Sequence, residues 1–328
     1  MKNLSKYFTL ALVAAFALAA VSCSKDDDTE TKPYMEGELK FDFPAYVKKA
    51  KLLTLAQPRG ITKPTEEITY KWIAASMFTD TLVLPSITVR TPDTLGQFAI
   101  YAMAFADGYY ALSSSVSFTT VDESRNGSLK DLAAPTATFT DPRDGIEYDI
   151  VTVGKLQWFA QNLAWAGSGY SYQDSPDVDK IFGRFYTWNQ ATDGISATGL
   201  GTGPQGVCPE GWSVPTNADW EDLTSQWTNP GSHLSANASF NGALMWPFSV
   251  NNDLLNSVGW NAVPLGCCSI AKKEVAKWGS YAFYWSATQR DTDTGYYRYI
   301  YYDESTMPSS FTTKDDFCIP VRCVRLKP

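Results

Sequence analysis

Ten of the eleven tryptophans in this 328-residue chain lie after residue 150. Each is a large apolar body to bury, so the C-terminal half must build a heavily aromatic core that the N-terminal half does without. The length allows two or three domains, and 44% apolar residues exclude a mainly disordered protein. Charge narrows the partners. Lys+Arg 27 against Asp+Glu 35 gives a formal net charge of -8, the wrong sign for neutralising phosphates, so no nucleic-acid partner is expected. The single histidine, His233, excludes His-rich metal sites and argues against Ser-His or Cys-His nucleophilic catalysis. No triad, phosphate loop or carboxylate pair stands out, and no metal, cofactor or enzymatic activity is expected.

The N-terminus reads as an export signal. Lys2 and Lys6 precede an unbroken apolar run from Phe8 to Val21. As a helix that run rises about 21 Å, short of the roughly 30 Å hydrocarbon core, which fits a signal peptide over residues 1–22 better than a membrane span. It ends Ala19-Ala20-Val21-Ser22-Cys23, which resembles the bacterial lipobox with Ala20 where that pattern prefers Leu. The resemblance implies that Cys23 becomes the lipidated first residue; ordinary secretory cleavage at Ala17-Leu18-Ala19 is the alternative. Ser24-Lys25-Asp26-Asp27-Asp28 opens an acidic spacer over residues 23–36 and is similar to the export signal of Bacteroidetes surface lipoproteins. Together these place the protein on the cell outer membrane, held by acylated Cys23 and facing the exterior. Losing residues 1–22 removes Lys2 and Lys6 and takes the charge from -8 to -10, so the acyl chains, not electrostatics, make the membrane contact.

From residue 37 the pattern has period two. Glu38-Leu39-Lys40-Phe41-Asp42-Phe43 and Ile68-Thr69-Tyr70-Lys71-Trp72 each alternate as half-buried strands do. Phe98 to Ala106 is apolar at both parities and reads as a central strand buried on both faces. Val116 and Phe118 alternate with Ser115, Ser117 and Thr119 in a last strand. Short Pro, Gly and Asp breaks between the runs predict an all-β sandwich over residues 37–122. Tyr70-Lys71-Trp72, Gly96-Gln97-Phe98 and Ala106-Asp107-Gly108-Tyr109-Tyr110 resemble an immunoglobulin-like domain of the PKD type, with Trp72 in its core. The polar stretch 123–136 reads as an interdomain linker.

In the C-terminal half, Ile146, Tyr148 and Ile150 alternate toward a Gly154-Lys155 hairpin turn, with Leu156 and Trp158 returning. Thr216 caps a helix with Asp219 at its third position, and Trp220, Leu223 and Trp227 then share one face at i, i+3 and i+7. Six ordered blocks carry a family resemblance: Asp144-Gly145-Ile146-Glu147-Tyr148; Gln157-Trp158-Phe159-Ala160-Gln161-Asn162-Leu163; Gly183-Arg184-Phe185-Tyr186-Thr187-Trp188; Val207-Cys208-Pro209-Glu210-Gly211-Trp212; Tyr284-Trp285-Ser286-Ala287-Thr288; and Val321-Arg322-Cys323-Val324-Arg325. Residues 137–328 thereby resemble the major paralogous domain family of Fibrobacter succinogenes (FISUMP). The resemblance implies an α+β, C-type-lectin-like fold. It also implies a helix-to-strand disulfide between Cys208 and Cys323, a loop long enough to be worth up to about 4.7 kcal/mol in the chain-entropy model. Of the remaining cysteines, Cys318 is expected to bridge to Cys267 or Cys268, leaving one thiol over.

The calcium loop of sugar-binding C-type lectins is not carried over. Neither Glu-Pro-Asn nor Gln-Pro-Asp occurs, and Trp188-Asn189-Gln190 only approximates the later motif. Candidate ligand contacts are aromatic instead. Gly295-Tyr296-Tyr297-Arg298-Tyr299-Ile300-Tyr301-Tyr302, as a strand, puts Tyr297, Tyr299 and Tyr301 on one face. A Gly/Ser-rich loop holds Trp165, Tyr170 and Tyr172. The expected function is a lipid-anchored surface binding or adhesion protein whose Ig-like stalk holds out a lectin-like head for a glycan or protein ligand. The alternatives are a fimbrial tip subunit assembling with pilus subunits after trimming at Arg59, and an oxidase-like enzyme using Cys318 and Cys323. The latter two have the four-residue spacing of the formylglycine-generating oxidases.

Overall fold

The alternating strands of the N-terminal half close around one tryptophan. In the computed structural model, which describes residues 31–328 apart from Glu66, Glu123 and Lys273, strand Tyr46–Lys48 pairs parallel with Leu112–Val121. The sheet continues antiparallel through Gly96–Phe105 to Thr69–Ile73. Two strand pairs, Glu36–Lys40 with Arg59–Lys63 and Leu52–Leu55 with Ile87–Arg90, cover its inner side. Trp72 is fully buried with Leu39, Phe41, Val89, Ile100, Ala102 and Ala104. Its indole N–H donates to the Leu84 carbonyl at 3.0 Å, so the polar edge of the ring is satisfied. The signal peptide, Cys23 and most of the acidic spacer lie outside the described residues.

Strand Gly96–Phe105 is central in its sheet but not buried on both faces. Ile100, Ala102 and Ala104 point into the core, while Tyr101, at 47% exposure, points out. The pleat sends alternate residues to opposite sides, and those on the outer side are exposed or half-buried.

The expected linker is built into the fold rather than left as a spacer. Ser124 caps the helical turn Arg125–Ser128, and Leu129–Lys130 pairs with the strand Ser239–Phe240. Arg125 donates to Asp149 and to the Ala160 carbonyl, both at 3.3 Å. Asp122 accepts from the Ser124 backbone at 3.1 Å and pairs with Lys49 at 3.1 Å. These contacts hold its carboxyl down at about 2.

The sandwich also docks directly on the C-terminal half. Tyr46 packs its ring within 5.6–6.1 Å of Tyr172, Phe182 and Phe240. Its N–H donates to the Ser175 hydroxyl at 3.0 Å, and Lys51 pairs with Asp177 at 2.8 Å. Asn241 donates to the Thr120 carbonyl from the other side.

The described residues are predominantly β, with 38% strand and 11% helix. The C-terminal half carries a four-stranded antiparallel sheet in the order Ala137–Thr140, Glu147–Val153, Leu156–Phe159, Val324–Leu326. Gly154, at φ +58, makes the tight turn between the middle two. A second sheet runs Tyr281–Gln289, Thr294–Tyr301, Ser309–Thr313. Helix Asn217–Thr224 has the expected capping box, with Thr216 and Asp219 exchanging hydrogen bonds. Trp220 and Leu223 are buried. Trp227 lies beyond the helix end, half-buried and stacked on His233 at 5.1 Å, so its place on the helical face is not used.

Between the two sheets sits Arg322, 1% exposed. Its guanidinium donates to Asn162 Oδ1 at 2.8 Å, and to the carbonyls of Phe159, Trp260 and Asn261. It stacks on Trp260 at 4.1 Å. Burial pulls its pKa down to about 10, which leaves it charged at neutral pH. Arg322→Met strips donors from four buried acceptors, each costly to leave unmade, and should destabilise the fold by about 3–5 kcal/mol in urea denaturation. A loss under about 1 kcal/mol would show that water or rearrangement replaces the fork.

Asp122 sets an acid-limb expectation. A carboxyl whose folded pKa is depressed adds stability above the unfolded value of about 3.9 and loses it as pH falls through the folded one. Stability measured between about pH 4 and pH 2 should fall less steeply in Asp122→Asn than in the unmodified protein. Parallel curves would mean that the Ser124 and Lys49 contacts persist in the unfolded chain.

Candidate functional site

Period-two pleating places Tyr297, Tyr299 and Tyr301 of strand Thr294–Tyr301 on one side of its sheet. Tyr297, Tyr299 and Tyr301 lie opposite Trp285, Phe283 and Tyr281 respectively. The other side faces the core, where Ile300, Ala282 and Tyr284 are buried. The outer side is graded. At one end Trp285 is covered by Phe317, with ring centroids 6.1 Å apart, and Phe283 is nearly buried. Toward the other end Tyr281, Tyr299 and Tyr301 are half-exposed.

The rings hold one another in place. Tyr281 stacks on Phe283 at 5.1 Å and 2°. Tyr301 lies 4.7 Å from Tyr281 at 41°, and Tyr299 lies 6.0 Å from it at 49°. The result is a ridged row rather than a flat plate. Burial pushes the Tyr281 and Tyr299 hydroxyls up. A hydrogen bond with Tyr302 pushes Tyr301 up to about 12. All three are therefore neutral at physiological pH, each hydroxyl able to donate and accept.

The loop candidates divide. Trp165 is half-buried, with the Arg143 guanidinium 4.2 Å over its ring and its carbonyl accepting from the Tyr186 hydroxyl. Tyr170 is exposed at 36%. Tyr172, expected as a ligand contact, is a core residue at 2% exposure. The turn Tyr172–Asp174, with Gln173 and Asp174 at positive φ, swings that ring inward. There it meets Tyr46, Phe182 and Trp278. Trp165 and the tyrosine row pack against the same buried cluster, but no ring contact joins them among the described residues.

A cleft of about 340 Å³ opens beside Tyr170, lined also by Gln173, Asp174, Cys268, Ser269 and Ile270. The sequence carried little signal for it, because its wall is the three-residue strand Cys267–Ser269, too short to show a period. Trp188-Asn189-Gln190 is the start of helix Trp188–Thr192, capped by Thr187, and Trp188 is buried. Among the described residues no group of three or more His, Cys, Asp or Glu gathers as for a metal ion.

Cys208 and Cys323 are disulfide-bonded, with Cα atoms 5.8 Å apart. Cys208 lies in a turn and Cys323 just ahead of strand Val324–Leu326, so the bridge joins a turn to a strand entry instead of a helix to a strand. Cys323 being so committed, Cys318 and Cys323 do not form a dithiol pair. Cys268 and Cys318, expected as candidates for a second bridge, are thiols directly opposite on paired strands.

A sequence model of the Fibrobacter succinogenes major domain (Fib_succ_major) matches residues 151–325, more than half of the chain. The chain belongs to this family. No curated protein matches. Among solved structures, that of the Yersinia pseudotuberculosis adhesin InvE is similar at a TM-score of 0.24 and 11% identity, covering 89% of this chain and 70% of that one. A score so low carries no argument about fold or function.

Within the Fib_succ_major region the sequence blocks are one interlocked unit. Asn162 donates to the Phe182 carbonyl and accepts from Arg322. Gly183, at φ +78, lets that amide close in, since a Cβ there would stand 2.4 Å from the Asn162 Cβ. Trp188 Nε1 donates to Ser286 O at 2.8 Å, and Trp285 Nε1 returns the bond to Tyr186 O at 2.7 Å. Ser213 and Val324 exchange backbone hydrogen bonds beside the disulfide. These blocks build the scaffold, and the exposed tyrosines stand on it. Tyr172→Ala should therefore cost about 3–5 kcal/mol, as buried aromatic truncations do. Tyr301→Ala should cost under about 1 kcal/mol. Equal losses in thermal melts would contradict the division into core and surface rings.

Proposed function

We propose that this protein is a lipid-anchored binding protein of the bacterial outer surface, its Fib_succ_major domain acting as a lectin-like head for a glycan. The observation that carries the reading is the half-exposed row Tyr281, Tyr299 and Tyr301 on a rigid sheet. Rings already fixed by their neighbours lose little side-chain freedom on binding. Their faces suit the C–H faces of sugar rings while neutral hydroxyls meet sugar hydroxyls. The angles of 41° and 49° between neighbours favour a twisted single chain over a flat crystalline surface.

Anchoring in this reading is by Cys23. Among the described residues no helix is long and apolar enough to cross a membrane. The PKD-type sandwich supports the head, and its docking through Tyr46 and Asp177 fixes the angle at which the head is held. A surface-protein reading agrees with the family membership and with a disulfide, which requires an oxidising compartment.

The test uses the full-length protein on a glycan array, with and without calcium. A saccharide hit should weaken at least tenfold in Tyr299→Ala and Tyr301→Ala and stay unchanged in Tyr101→Ala, an exposed ring on the N-terminal sandwich. Hits indifferent to both tyrosines would remove the row as the site. Capture of a protein ligand with no saccharide bound would overturn the glycan assignment. Mass spectrometry of the detergent-extracted chain should find diacylated Cys23; a chain trimmed after Arg59 would favour a pilus subunit instead.

A further inference from the structure

The third and fourth cysteines to be placed meet across a strand pair. Cys268 sits opposite Cys318, and Ser269 opposite Phe317. The next pair in register, Ile270 with Asp316, shares a backbone hydrogen bond of 3.1 Å. Bonded pairs alternate along an antiparallel ladder, so Cys268 and Cys318 occupy a bonded site with Cα atoms about 5.5 Å apart. That lies within the span a disulfide bridges. Cys268 and Cys318 share one buried cluster, whereas Cys267 belongs to the other. The pleat thus resolves the choice between neighbours in favour of Cys268.

We infer that Cys268 and Cys318 are a redox-responsive dithiol that closes into a second disulfide, in the wall of the cleft beside Tyr170, and reopens before Cys208–Cys323. The compartment is already oxidising enough for one bridge. Access separates the two. Cys208 and Cys323 are fully buried, while Cys268 is half-buried and lines the cleft, so an external reagent reaches its sulfur first.

The exchange balances with a disulfide oxidant such as oxidised glutathione or an envelope dithiol oxidoreductase. The Cys268 thiolate attacks one oxidant sulfur and expels the other as a thiolate. Cys318, deprotonated, then attacks the mixed disulfide at Cys268 and releases the second half. Two protons and two electrons leave the protein, and the oxidant departs as two thiols. A hydrogen bond with Cys318 and then burial push the Cys268 thiol up, so closure should speed up as pH rises. Phe317, next to Cys318, packs on Phe283 and Tyr297, so the bridge ties the cleft wall to the tyrosine row.

The test is peptide mapping of the full chain after oxidised-glutathione treatment, acid quench and N-ethylmaleimide blocking. Linked Cys268–Cys318 peptides should appear beside Cys208–Cys323, and in Cys318→Ser the unresolved mixed disulfide should leave glutathione on Cys268. Native protein titrated with dithiothreitol should open the Cys268–Cys318 bridge at a concentration at least tenfold below that opening the other. Cys268 and Cys318 both alkylated after oxidation, or a Cys267–Cys318 peptide, would overturn the pairing. Simultaneous opening of the two bridges would overturn the redox-responsive role.

Discussion

A buried cation held by main-chain carbonyls organises the Fib_succ_major region. Removing a guanidinium from water is expensive, and Arg322 recovers that cost with Asn162 and the carbonyls of Phe159, Trp260 and Asn261. Those acceptors come from separate stretches of chain, and the Trp260 and Asn261 carbonyls, in irregular backbone, have no ladder to bond to. One planar fork satisfies them together. The neighbouring Cys323 is tied to Cys208, so the same short segment carries both the polar hub and the covalent closure. Either alone would leave the loops around it free to choose other partners.

The tryptophans solve the same problem at smaller scale. Irregular backbone can be buried only if its carbonyls find donors, and an indole brings one N–H on a large apolar body. Trp188, Trp285, Trp220 and Trp246 donate to the carbonyls of Ser286, Tyr186, Trp285 and Ala262. Trp158 and Trp260 contribute ring packing, with Trp158 4.8 Å from Trp220 and Trp260 4.9 Å from Tyr284. Four of the ten tryptophans in the half with the long loops thus serve buried carbonyls. The N-terminal half, built on alternating strands, satisfies its backbone by ladders and needs only Trp72.

What the sequence made legible was local. The Gly154 turn, the Thr216–Asp219 capping box and the alternation of Tyr297, Tyr299 and Tyr301 each follow from a few adjacent residues and one backbone geometry. The inward turn of Tyr172 depends on Tyr46, which lies far away in sequence and nearly opposite in pattern. The docking of residues 124–130 depends on Asp149 and on a two-residue strand at Ser239–Phe240, and neither leaves a periodic trace. Helix Asn217–Thr224 stops ahead of Trp227 although the i+7 spacing fits, because ring stacking with His233 competes for that indole. The pairing of Cys268 with Cys318 likewise needed a register that no spacing of cysteines contains.

The segment from Ser168 to Asp179 shows how these long-range terms combine. Arg184 gathers it from one side, donating to the carbonyls of Ser168 and Gly169, to the Ser171 hydroxyl and to Asp179. The sandwich grips it from another through Ser175 and Asp177. Its Tyr170, Gln173 and Asp174 form one wall of the cleft whose opposite wall carries Cys268. With both ends fixed by charge-assisted contacts, the turn in between holds two non-glycine residues at positive φ, a cost that only surrounding structure sustains. The strap therefore touches the N-terminal sandwich on one side and lines the cleft on the other. A change at the Tyr46 interface reaches the C-terminal half through this segment and also directly through Phe182 and Phe240.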